Sequence, residues 1–173
     1  MSSPTFLLTW SCYGHWLPGR EGYVSRKQNH FNSPLQESSR PKQIRASQQM
    51  LEPTYLLEPH DRQVVLEAIV EICSRKGWLL SAAHVRTNHI HVVTTANHPP
   101  ERVMTALKAH SSSKLNLHDG NTGRTRWARH GSTRYLWTEV TIKAAIDYVV
   151  HQQGEPMAMF EAPFRLAQAA KHS

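Results

Sequence analysis

Asn88-His89-Ile90-His91-Val92-Val93-Thr94-Thr95 is the stretch whose reading decides the fold. β-Branched residues dominate it, and these suit a pleated, half-buried surface, so it predicts a strand. Side chains alternate faces along a strand. His89 and His91 therefore share a face, with Cα atoms about 7 Å apart, while Ile90 and Val92 point to the opposite, core face. Two imidazoles side by side on a rigid sheet form half a metal site. A pair of surface histidines on a half-exposed strand has the same pattern, so the rest of the chain must decide.

Trp78 to Val85 reads as the preceding strand and Arg86-Thr87-Asn88 as the turn. If Thr87-Asn88 is a two-residue hairpin loop, Arg86 pairs with His89 and His84 with His91, gathering four side chains on one face. A slip of one residue would send His84 and Arg86 into the core. Before this hairpin, Val65, Ile69 and Ile72 recur at helical spacing; Asp61 is placed to cap that helix and Gly77 to end it. After it, Pro99-Pro100 opens a second helix through Val103, Leu107 and Leu115, with Lys108, His110 and Lys114 on its polar face. Thr5 to Trp10 is a first strand and Tyr135 to Thr138 a short last one. Ile142, Ala145, Ile146, Val149 and Val150 mark a final helix ending near Gly154. Strand, helix, strand, strand, helix, strand and an added helix predict the α+β class. The expected architecture is a ferredoxin-like (RRM-like) antiparallel sheet with helices packed on one face, leaving the other face free for a site.

The 173 residues suit one domain over 1–173, with a long polar loop or insertion at 14–50 and a tail at 157–173 that can hold a small helix. The net charge of +7 favours an acidic polymer as partner. No apolar run approaches the roughly 18 residues of a membrane span, and no leader pattern is seen. Cys12 and Cys73 are the two cysteines, which excludes a disulfide framework and a four-cysteine zinc site and points to a reducing cytoplasm.

Tyr148 and Gln152 stand four residues apart on the last helix and so share a face. Set against the open side of the sheet, Gln152 can offer an amide oxygen to a metal and Tyr148 a phenolic oxygen to a substrate, although a helix-borne tyrosine is more often packing. His151 lies about 100° round the helix from Gln152, and His84 is a rival third ligand in the hairpin register above. Residues 119–134 are rich in glycine and arginine. Arg124, Arg126, Arg129 and Arg134 can neutralise phosphates, Trp127 can stack an unpaired base, and Lys108 and Lys114 extend the track. The alternative for this segment is a solvated loop. Trp16 and Tyr13 suit stacking or packing equally.

Asn88-His89-Ile90-His91, followed by Asp147-Tyr148-Val149-Val150-His151-Gln152, resembles the single-tyrosine HUH transposases, which include those of small bacterial insertion sequences and the REP-associated tyrosine transposases. The pattern Tyr13-Gly14-x-Trp16-Leu17-Pro18-Gly19 is similar to a narrower group among them. The resemblance implies a metal-dependent enzyme that cuts and rejoins single-stranded DNA, usually at a hairpin. It implies that His89, His91 and Gln152 hold Mg²⁺ or Mn²⁺, that Tyr148 is the nucleophile, that a 5′-phosphotyrosine forms, and that the enzyme is a homodimer in which the tyrosine acts in cis or in trans. The chemistry asks for such a site. A free tyrosine has a pKa of about 10 and attacks poorly near neutrality, and a cation such as Arg86 or a metal ion beside it favours phenolate. Three other readings are a non-catalytic RRM-like module, a hydrolase without a covalent step, and a domesticated nuclease that no longer mobilises its own gene. An RRM carries aromatics on its central strands, where this chain carries His89 and His91.

Overall fold

The computed structural model of the protein describes residues 3–15 and 38–163. Strands β1 (Thr5–Cys12), β2 (Leu79–Val85), β3 (His89–Thr95), β4 (Trp127–Leu136) and β5 (Ala158–Glu161) form one sheet in the order β4-β1-β3-β2-β5. Every pairing is antiparallel. Helices are α1 (Arg40–Gln48), α2 (Pro59–Lys76), α3 (Pro100–Asp119) and α4 (Glu139–His151). With α2 joining β1 to β2 and α3 joining β3 to β4, this is the expected ferredoxin-like α+β arrangement, extended by α4 and by β5 on the outer edge of β2.

The two faces carry separate cores. Phe6, Leu8 and Trp10 of β1 and Ile90 and Val92 of β3 pack under α2 and α3, whose Val65, Ile69, Val103, Leu107 and Leu115 are fully buried. Each such side chain contributes about 1.5–3 kcal/mol through burial. The opposite face, with Ala82, Val93 and Leu136, receives Ala145, Val149 and Val150 of α4. The strand alternation read from His89-Ile90-His91 thus separates a core face from the face that α4 covers.

The hairpin register is the one derived by counting back from the turn: His84 pairs with His91, Val85 with Ile90, and the Arg86 amide donates to the His89 carbonyl at 2.9 Å. A bulge at Ser81, between Leu80 and Ala82, puts His84 on the face of His91, whereas unbroken alternation from core-facing Leu80 would have turned it into the core. α2 ends as expected at Gly77, whose φ of 65° is left-handed. Its N-cap is Glu58, not Asp61; Asp61 lies one turn in, and its carboxylate accepts the Glu58 amide at 3.1 Å.

Three segments differ from expectation. The 14–50 polar stretch contains α1, which buries no residue and therefore has no apolar stripe to betray it. The glycine- and arginine-rich segment is strand from Trp127 onward, pairing with β1 from Cys12↔Trp127 to Thr5↔Leu136; the short last strand expected at 135–138 is its end. Gly131 permits this pairing, because a Cβ there would stand 2.5 Å from the Thr9 carbonyl oxygen and 2.6 Å from Met104 Sδ. The tail contributes β5 rather than a helix as far as it is described; Trp16 to Gly19 and residues 164–173 lie outside the described residues.

Candidate active site

His89 and His91 project from the central strand into a cleft of about 590 Å³ between the sheet and α4. The cleft is walled by Leu7 and Thr9 of β1, Ser132 and Arg134 of β4, and Thr141, Ala144, Ala145 and Tyr148 of α4. Those four helix positions are spaced i, i+3, i+4 and i+7, one face of a helix. The β1 and β4 positions are cross-strand partners, Thr9 with Ser132 and Leu7 with Arg134. Period-two alternation on the strands and 3.6-residue periodicity on α4 therefore converge on the same space.

The imidazoles are held edge to face, ring centroids 4.8 Å apart. His91 is 5% exposed, and its Nδ1 lies 2.8 Å from Thr9 Oγ1. His91 Nε2 is buried and makes no hydrogen bond. His89 Nδ1 bonds the side-chain oxygen of Asn88. A carbonyl oxygen only accepts, so Nδ1 of His89 carries the proton and its Nε2 keeps a lone pair. Thr9 can accept from His91 Nδ1 in the same way. Both rings are then oriented by an oxygen behind them and present Nε2 forward, the arrangement metal-ligating histidines adopt. Burial, reinforced by His89, lowers His91 to about 3, and burial lowers His89 too, with Gln153 opposing the shift at both rings. Both are neutral imidazoles at physiological pH, the form that binds cations.

Tyr148 reaches this pair from α4 of the same chain, its ring centroid 5.5 Å from that of His91, and the residue is 40% exposed. The amide beside the pair is that of Gln153, not of Gln152. α4 ends at His151, and Gln152 departs from helical geometry with φ −110° and ψ 19°. Its side chain turns outward to Asp147, while Gln153 lines the cleft and donates to the Tyr148 carbonyl at 3.1 Å. His84 is not a third ligand in this arrangement, since backbone atoms occupy both its nitrogens. His151 is exposed. No cluster of three or more His, Cys, Asp or Glu able to hold a metal occurs among the described residues. Two imidazole nitrogens and one amide oxygen are nonetheless a donor set that suits a divalent ion, and the buried Nε2 of His91 makes no hydrogen bond that meets the geometry of one.

The basic residues divide sharply. Arg134 lies on the cleft wall and Arg129 is exposed on β4. Arg126, expected on phosphate, is 2% exposed; its guanidinium is bound by Asp119, Asn116 and the Tyr55 hydroxyl. Trp127, expected to stack a base, packs edge-on against Trp10 and Tyr55, and its indole N–H donates to the Lys108 carbonyl. Lys108 Nζ donates to the Ala128 and His130 carbonyls, and burial lowers it to about 8. Arg86 donates to the Glu155 carbonyl, Arg124 lies over the Tyr55 ring, and Lys114 pairs with Glu71. Thr9, Asn88 and Gln153 were not among the site residues expected from the sequence. Thr9 and Asn88 carried faint signals, one at a face-matching position of β1 and the other directly before His89.

An α+β sheet whose central strand turns two neutral imidazoles toward a helix-borne tyrosine defines the class. The chain matches the model of the IS200-like transposases over residues 54–152, more than half its length, and belongs to that family. β1, with Thr9, lies outside the matched residues. No curated protein matches the chain. Among solved structures it is similar to a REP-associated tyrosine transposase bound to a REP hairpin, with 10% identity, 88% of this chain and 67% of that chain covered and a TM-score of 0.48. A protein from Deinococcus radiodurans R1 assigned as a transposase is similar at 14% identity, with 88% and 92% covered and a TM-score of 0.44. No helix among the described residues is long and apolar enough to cross a membrane.

Proposed function

We propose that the protein cuts and rejoins single-stranded DNA through a covalent bond between Tyr148 and a 5′-phosphate, at a site completed by Mg²⁺ or Mn²⁺. The observation that carries this reading is the Tyr148 ring against His91, on a cleft that the Gln153 side chain also lines. His89 and His91 would hold the ion through Nε2, with the Gln153 amide oxygen as third donor. Oxygen ligands favour Mg²⁺ and imidazoles favour Mn²⁺, so this mixed set suits either. When bound, the ion neutralises and orients the scissile phosphate. Tyr148 Oη gives up its proton and attacks phosphorus. The bond to the 3′-oxygen breaks, that oxygen takes up a proton, and a free 3′-hydroxyl and a 5′-phosphotyrosine result. Reversal with another 3′-hydroxyl rejoins the strands with no external energy source. Arg134, on the cleft wall, can balance phosphate charge.

The DNA partner we infer is a strand with a hairpin near the cut and the active form a homodimer, as the family resemblance implies, and the two cysteines favour a reducing cytoplasm as its place. The non-catalytic RRM-like reading fares worse: the cleft face of β1 and β3 presents Leu7, Thr9, His89, His91 and Val93, with no aromatic platform. The test is incubation with single-stranded DNA carrying its flanking hairpins and Mn²⁺, read on a denaturing gel. Wild type should form a covalent adduct, Tyr148→Phe none, and His89→Ala should bind DNA without cutting it. DNA binding without adduct by wild type would overturn the enzyme reading, and an adduct from Tyr148→Phe would overturn the nucleophile.

A further inference from the structure

His84 is fully buried, yet both its ring nitrogens are engaged by backbone. Nδ1 is 2.9 Å from the Val149 carbonyl oxygen, and Nε2 is 3.1 Å from the Met157 amide nitrogen. A carbonyl only accepts and an amide N–H only donates, so the ring is the neutral Nδ1–H form. The Val149 carbonyl is among the last four of α4, which lack partners within the helix. One side chain on β2 thus caps the C-terminus of α4 and fastens the chain that follows it.

Neighbouring residues reinforce the clasp. The chain reverses at Gly154, where φ is 78°. Arg86 Nη1 donates to the Glu155 carbonyl at 2.8 Å, and the Thr87 hydroxyl lies 3.7 Å from Met157 Sδ. β5 then pairs along β2, Met159 opposite His84 and Ala158 opposite Val85. Val149, held by His84, directly follows Tyr148 in sequence.

We propose that His84 is a positioning residue: by bridging Val149 and Met157 it sets where the last turn of α4 rests on the sheet, and so holds the Tyr148 ring against His91. This rests on the reading of Tyr148 as nucleophile. An apolar residue could fill the space but would leave the helix carbonyl and the Met157 N–H without partners, and α4 would settle elsewhere. Misplacing a reacting group by about 1 Å costs about 100-fold in rate.

The test compares wild type with His84→Ala, His84→Gln and Met157→Pro, using a hairpin oligonucleotide with Mn²⁺ and hydrogen exchange across the chain. Met157→Pro removes the donor while leaving His84 in place. Gln keeps one donor and one acceptor. His84→Ala and Met157→Pro should lower kcat for adduct formation by about 100-fold with KM unchanged, and His84→Gln should recover most of the loss. Exchange should quicken in α4 and residues 152–161 while α2 keeps its protection. A kcat that falls only with the folded fraction, exchange that rises everywhere, or a fully active Met157→Pro would overturn the proposal. If wild type forms no adduct, the nucleophile reading fails by itself, and exchange decides: selective loosening of α4 supports the clasp, and unchanged exchange refutes it.

Discussion

Replacing Arg126 by Met separates a residue that binds DNA from one that holds the fold. The Arg126 side chain is 0% exposed and pairs with Asp119 at 2.8 Å. Its remaining donors reach Asn116 Oδ1 at 3.1 and 2.9 Å, the Tyr55 hydroxyl at 2.9 Å and the Asn121 carbonyl at 3.1 Å. The network ties the C-terminus of α3 and the residues before α2 to the chain entering β4. Partial desolvation raises the Asp119 carboxyl, but the Asn121 amide and Arg126 hold it below its usual value. Met keeps the length of the side chain and removes the charge and every donor. Breaking a buried pair from one side costs about 3–5 kcal/mol. Asp119 is 34% exposed at its side chain and can be rehydrated, whereas Tyr55 is 4% exposed and cannot, so the low end, about 3 kcal/mol, applies. For a chain of this size that lowers Tm by about 6–12 °C. The assay is thermal unfolding beside the salt dependence of single-stranded DNA binding at a temperature where the variant is folded. The slope against salt should not change. An unchanged Tm together with a slope reduced by about 0.7, the worth of one phosphate contact, would refute the structural role.

Gln153→Ala should weaken Mn²⁺ binding measured calorimetrically by about 10-fold or more, the scale of a group that supports a metal site, while Gln152→Ala leaves it unchanged; the reverse order would restore Gln152 as ligand. His91 gives a pH dependence of fixed sign. Its folded value of about 3 lies below the unfolded value of about 6.5, so its contribution is complete above pH 6.5 and is lost as pH falls towards 3. Between pH 7 and pH 5 this removes about 2 kcal/mol, a figure set by the unfolded value alone as long as the folded one stays well below 5. Urea unfolding at the two pH values should show that loss in wild type, and His91→Leu should show less of it; an equal loss in both would mean that His91 is not held neutral.

The central hairpin was legible because two local signals agreed: β-branched residues fix the alternation and the two-residue turn fixes the pairing. α2 and α3 carried apolar stripes and glycine or proline ends. What escaped the sequence did so for separate physical reasons. β4 is an edge strand with few buried residues, so Arg129, Arg134 and Gly131 do not trace a strand pattern. Arg126 reads as a solvent-facing cation until Asn116, Asp119 and Tyr55, distant in sequence or on another element, are seen to converge on it. The expected sharing of a face by Tyr148 and Gln152 assumed that helical geometry continues past His151, where the chain in fact leaves the helix, so that the side chain lining the cleft is that of Gln153. The contact between Tyr148 and His91 itself could not be derived, because no spacing rule relates α4 to a strand more than forty residues before it.

The position of β3 in the order β4-β1-β3-β2-β5 has a consequence for assembly. It is the middle strand among the described residues, so each outer strand of this sheet is two strands away, about 10 Å at the usual strand separation. A second copy adding itself along β4 or β5 would extend the sheet without bringing the seam to the imidazoles. Self-association at either margin would leave the central cleft untouched, and each chain would bring its own His89, His91 and Tyr148 to the pair.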